Sequence, residues 1–136
     1  MANAMYDPGR EGFLDGSIDW DTNDMRVMLM KSGYTFSATH KFVSDTTPAS
    51  YDNGRSAALA SKTVTNGVAD AADTTLTATA ASASNALIVY QYNAADASAR
   101  LICYIDTPTS GLPFTPSAGQ TVNIAWDNGS NKIFKL

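Results

Sequence analysis

Leu87-Ile88-Val89-Tyr90-Gln91-Tyr92 and Leu101-Ile102-Cys103-Tyr104-Ile105 decide the fold. In the first stretch Leu87 and Val89 point one way while Ile88, Tyr90 and Tyr92 point the other. In the second, Leu101, Cys103 and Ile105 oppose Ile102 and Tyr104. Both strands are therefore apolar on both faces, a pattern that an open sheet with one wet face does not give. They predict an antiparallel pair near the middle of the fold, joined by the polar turn over residues 93–98.

Weaker strand signals lie on either side of this pair. Met25, Val27 and Leu29 alternate with Arg26, Met28 and Met30, and Ser17-Ile18-Asp19-Trp20 alternates before them. With Asp21-Thr22-Asn23-Asp24 between, the stretch reads as a hairpin. Thr63, Thr65, Thr75, Thr77 and Thr79 turn an Ala- and Ser-rich region toward strand, and Asn66-Gly67 suits a tight hairpin turn within it. Val122, Ile124 and Trp126 share one face of a late strand, and residues 132–136 form a last one. Residues 107–118, with Pro108, Pro113 and Pro116, are excluded from any central strand. The expected fold is all-β: an antiparallel β-sandwich of jelly-roll or Greek-key type with at most short helical turns. One such turn is expected at Pro8, capped by Asp7 and stopped by Gly16, and another over residues 38–43 behind Ser37. Residues 1–16 are expected as an N-terminal arm before a single domain over residues 17–136.

Composition narrows the function. At 136 residues the chain is long enough to bury one core without staples. Its apolar fraction of 44% against 16% charged residues is that of a globular protein. A net charge of -4 and the lack of a basic run argue against nucleic-acid binding. No apolar run is long enough to span a bilayer, so no membrane is expected as a partner. The opening residues lack a basic stretch followed by an apolar one, so no signal peptide is expected and folding in the cytosol is. One cysteine and one histidine leave little for disulfide, zinc or triad chemistry.

Each chemical motif is outweighed by a plainer reading. Residues 19–24 begin like a calcium loop, but Asp24 stands where the turn glycine belongs and Met30 where the closing glutamate belongs. His40 has no nucleophile elbow to serve, and Cys103 sits in mid-strand among apolar residues, where a thiol stays protonated. Gly9, Gly12 and Gly16 lack the Lys-Ser/Thr pair of a phosphate loop and read as an arm running close to a surface. Trp20, Tyr34, Phe36, Tyr51 and Tyr90 would make a sugar platform only if exposed, and core burial is the commoner fate of aromatics. No enzyme activity, metal or cofactor is expected.

The opening Met5-Tyr6-Asp7-Pro8-Gly9-Arg10-Glu11-Gly12-Phe13-Leu14-Asp15-Gly16-Ser17-Ile18-Asp19-Trp20-Asp21-Thr22 is followed by a strand, then Tyr34-Thr35-Phe36 and His40-Lys41-Phe42-Val43-Ser44-Asp45. A Thr-rich strand, an apolar strand ending in Tyr92, the run Leu101-Ile102-Cys103-Tyr104-Ile105-Asp106 and a closing strand from Val122 to Trp126 complete the pattern. Together they resemble small virion structural proteins of tailed bacteriophages, over nearly the whole chain. The resemblance implies a capsid decoration, or cement, protein on the outside of the phage head, made in the bacterial host cytoplasm, that staples neighbouring major capsid protein subunits. The alternative is a tail or baseplate accessory protein that binds host glycan.

Two expectations about contacts accompany this. Strands apolar on both faces leave a face that something must cover, which suggests a homodimer. The contacts with major capsid protein are expected from the opening arm, through Tyr6, Arg10, Glu11, Phe13 and Leu14, and from the Pro-stiffened loop, through Leu112 and Phe114.

Overall fold

The computed structural model describes residues 3–106, 112 and 114–136. In chain order the elements are β1 (Ala4–Met5), α1 (Asp7–Asp15), β2 (Met25–Lys31), a 3-10 turn (Val43–Thr46) and α2 (Pro48–Tyr51). There follow β3 (Asp52–Arg55), β4 (Thr63–Thr65), β5 (Val68–Asp70), β6 (Thr74–Thr77), β7 (Ser84–Gln91), β8 (Arg100–Ile105), β9 (Thr121–Ile124) and β10 (Phe134–Lys135). The strands form three sheets, ordered β1-β8-β7-β2-β3, β10-β5-β4 and β6-β9. All the strand pairs are antiparallel, and the protein is mostly β.

The two deciding stretches are β7 and β8, paired side by side with β7 at the centre of the large sheet. Each face of that sheet carries its own core. Met25, Val27, Leu29, Leu87, Val89 and Cys103 meet Leu76, Val122, Ile124, Ala69 and Phe134 from the two small sheets, and Trp126 just past β9. On the other face Met28, Met30, Ile88, Tyr90, Leu101 and Tyr104 meet Tyr6, Tyr34 and Val43, with Phe36 and Tyr51 at the margin. The second face is thus covered by the same chain, through residues 34–51. The reason for expecting a second copy there is met within one molecule.

The alternation along β8 shifts phase partway. Tyr90 pairs with Leu101 and Val89 with Cys103, so Ile102 is an extra residue on one strand. Such a bulge turns the side chains past it onto the opposite face. Leu101 therefore joins Tyr104 in the second core, while Ile102 joins Cys103 in the first. Strict alternation, which puts Leu101 with Cys103, is corrected by the bulge. On the β1 side the Ile102 carbonyl accepts the Tyr6 amide at 3.0 Å, which extends the pairing of Met5 with Cys103.

Residues 1–16 are more than an arm in front of the domain. β1 is an edge strand of the large sheet and α1 packs across β8. Gly16 ends α1 in the left-handed conformation (φ 80), as its sequence position suggests. Asp7 does not cap the helix, because it is already helical, and Tyr6 occupies the cap position without a side-chain bond. The expected hairpin over residues 17–31 does not form. Asn23 Oδ1 accepts the Asp19 amide at 2.7 Å and closes a loop, so only β2 is strand. The helical turn expected over residues 38–43 lies later, at Val43–Thr46, where Asp45 Oδ2 accepts the Lys41 and Phe42 amides and turns the chain. Asn66 (φ 54) and Gly67 (φ 76) make the expected tight turn, pairing Thr65 with Val68.

Candidate partner-binding surface

Four large hydrophobic side chains are exposed among the described residues: Leu14 (87%), Val64 (57%), Tyr92 (41%) and Leu136 (58%). Tyr92 is stacked by the Arg26 guanidinium, 3.7 Å from the ring centroid. Val64 and Leu136 line one groove with Phe13, Gly16, Ile18, Asp19, Trp20, Gly67, Ala69 and Phe134. Leu14 is exposed next to Phe13 in the last turn of α1 but does not line the groove.

Register explains why the groove exists. Val64 pairs with Ala69, and Ala69 pairs with Phe134, so all three side chains point to one face of the small sheet. Ala69 and Phe134 are covered by the first core. Phe134 stacks edge-on with Trp20 at 5.2 Å and touches the Phe13 ring at 5.5 Å. Trp20 is held by its indole N–H, which donates to the Asp70 carbonyl at 3.1 Å. β4 is the free edge and overhangs the core, so Val64 reaches water instead. The result is an apolar lip with a firm aromatic floor.

The residues read from the sequence as partner contacts separate into two groups. Arg10, Glu11 and Leu14 are exposed on α1, and Arg10 pairs with Asp7 at 3.2 Å. Phe13 lines the groove. Tyr6 is fully buried, and its hydroxyl meets Tyr34 Oη at 2.9 Å, so it offers no surface to a partner. Burial, then the neighbouring Tyr34, hold the Tyr6 hydroxyl far above its ordinary pKa. Leu112 and Phe114 pack against the first core, and Phe114 exchanges backbone bonds with Ser84 at 2.8 and 3.0 Å. Residues 107–111 and 113 of that loop lie outside the described residues. The sequence marks Val64 and Leu136 only as strand residues. Their exposure follows from the overhang of β4, which no local pattern encodes.

The other candidates are placed as structural groups. Cys103 is buried, and burial pushes its thiol up to about 12. His40 Nδ1 bonds the Tyr34 hydroxyl at 3.0 Å at the rim of the second core. In the loop over residues 19–24 the hydrogen bond to Asp19, and then its charge, raise the Asp21 carboxyl. Asp19 is lowered by accepting that bond and one from Thr22. Asn23 spends its oxygens within the protein, on the Asp19 amide, on Gln91 Nε2 and on the Lys62 ammonium. Among the described residues no group of three or more His, Cys, Asp or Glu is placed to hold a metal ion. Trp20, Tyr34 and Tyr90 are buried, so the aromatic set does not form a platform.

No known protein family, curated protein or solved structure matches the chain.

Proposed function

We propose that the protein is a capsid decoration protein that grips major capsid protein through the groove between α1, β4 and Leu136. The observation that carries the binding half of this reading is the groove itself. Val64 and Leu136 are exposed beside a buried Trp20–Phe134 floor, and clustered apolar exposure on a rigid rim is what partner surfaces use. Asp19, exposed and lining the same groove, supplies a polar group at its rim. The capsid half rests on the resemblance of the opening segment and later strands to phage virion proteins. In this reading the large sheet and the two small sheets form a β-sandwich across the first core, and the second core is an added layer that stiffens it.

The location is the outer surface of the phage head, after synthesis in the host cytoplasm. Self-association is not needed to cover either face of the large sheet. The glycan-binding alternative loses support, because Trp20, Tyr34 and Tyr90 are interior and leave only the half-buried Phe36 and Tyr51 of that aromatic set. A virion reconstruction tests the reading. Density for this chain should lie outside the shell with α1 and β4 turned toward capsid subunits. Density at the tail, or on the head with α1 and β4 facing solvent, would overturn it.

A further inference from the structure

The sequence holds three Asn-Gly pairs: Asn53-Gly54, Asn66-Gly67 and Asn128-Gly129. Glycine shields its own amide nitrogen poorly, so this pair can cyclise without an enzyme. The glycine nitrogen gives up its proton and attacks the asparagine Cγ. A C–N bond forms, the Cγ–Nδ2 bond breaks, and ammonia leaves with that proton. Water then opens the five-membered imide to aspartate or to isoaspartate, in which the backbone runs through the side chain. No electrons are exchanged, and water is the co-reactant.

The structure separates the three pairs. Asn53 is fully buried and its carboxamide is tied at both ends. Nδ2 donates to Ser84 Oγ at 3.0 Å, and Oδ1 accepts from the Ala80 amide at 2.9 Å and from Thr79 Oγ1 at 3.2 Å. The Gly54 amide is held by Asp52 Oδ1 at 2.8 Å. Asn128 is exposed, but the Gly129 amide donates to Asp127 Oδ1 at 3.1 Å. A carboxylate there opposes loss of the amide proton. Asn66 and Gly67 are both exposed, and among the described residues neither the Asn66 carboxamide nor the Gly67 amide makes a hydrogen bond.

We propose that Asn66 is a site of spontaneous deamidation in the folded protein, selected over Asn53 and Asn128 by these differences in restraint. The consequence is local and structural. Asn66 and Gly67 are the two residues that set β4 on β5, with Thr65 opposite Val68. Isoaspartate adds a backbone carbon to a two-residue turn, and a turn of that length fixes the register of its strands. The conversion also places a charge two residues from Val64. The chemistry does not depend on the capsid reading.

The test is to hold the intact folded protein in mildly alkaline buffer and map its peptides by mass spectrometry over time. The Asn66 peptide should gain about one dalton and resolve into aspartate and isoaspartate forms. Its rate should exceed those of Asn53 and Asn128 by about tenfold or more, since the Asn53 site must first open locally. Asn66→Gly should abolish the conversion and keep the fold, because glycine adopts the positive φ freely. Equal conversion at all three pairs would overturn the proposal, as would an Asn66 that stays intact in the protein while it converts in a peptide of residues 60–72.

Discussion

Gly9→Ala should destabilise the protein although alanine is the better helix former. α1 crosses β8 so closely that a Cβ on residue 9 would stand 2.8 Å from the Leu101 carbonyl oxygen, 3.0 Å from the Ile102 oxygen and 3.1 Å from Ile102 Cα. These are backbone atoms of a strand held between β1 and β7, so no rotamer change relieves the contact. Alanine over glycine contributes about 1 kcal/mol of helix stability. Overpacking a fitted contact costs about 1–3 kcal/mol, and an unyielding backbone puts this site in the upper half of that range. The net loss should be about 1–2 kcal/mol, or a fall in Tm of about 3–8 °C for a chain of this size. Gly12→Ala is the comparison. Its Cβ would press on the Ile18 side chain, with Cγ1 at 2.6 Å and Cδ1 nearer still. Ile18 is buried in the first core with little room to move, so this variant should also lose about 1–2 kcal/mol after the helix gain is deducted. Urea unfolding of the two variants and the parent measures both differences. A Gly9→Ala protein as stable as the parent would refute the close seating of α1. The placement of Phe13 in the groove would fall with it.

Two further outcomes follow from the ionisable groups. Arg55 Nη1 and Nη2 bond both Asp96 oxygens at 2.7 and 3.0 Å, and its Nε bonds Asp52 at 2.7 Å, which ties β3 to the loop after β7. Arg55→Met should cost about 1 kcal/mol, since the pairs are partly exposed. Arg55 holds the Asp96 carboxyl below its ordinary range. That contribution is present above the unfolded carboxylate pKa and is lost as the pH falls through the folded one. The variant's deficit should therefore shrink in acid unfolding experiments, and a deficit unchanged at low pH would count against the pair. Cys103 should resist a thiol reagent in mildly alkaline buffer and react fully in denaturant, because burial keeps its thiol protonated at up to about 12; fast labelling of the folded protein would contradict its place in the first core.

How much of this is legible in the sequence depends on whether the information is periodic. β7 and β8 stand out because only a strand covered on both sides needs apolar residues at every position, and the Asn66-Gly67 turn because few residues take positive φ. The cover on the second face is not legible. Tyr34, Phe36, Val43 and Tyr51 are spaced irregularly along a loop, and only the folded path brings them over Met28 and Ile88. The strand expected at residues 17–20 fails because Ile18 and Trp20 are buried from a loop, which produces the same alternation as a strand. The phase of β8 fails after one residue because a bulge leaves no mark in a run of apolar side chains. At the groove, Phe13 is legible as an apolar residue in a polar, Gly-rich segment. Val64 is not, because its exposure depends on how far β4 extends past the core. Tyr6 misleads for the reverse reason, since an aromatic residue near a chain end looks available until Tyr34 and Ile102 close over it.

The claim that the groove is the partner surface is tested most directly by the affinity of Val64→Asp for capsids stripped of this protein. Val64 is exposed at a free edge, so the variant should unfold within about 0.5 kcal/mol of the parent. Burying the valine against a partner contributes about 1.5 kcal/mol, and burying an unpaired carboxylate in its place costs about 1–3 kcal/mol more. Binding should weaken by about a hundredfold to a thousandfold. A folded Val64→Asp protein that rebinds the stripped capsids as tightly as the parent would contradict the account and move the contact away from the groove.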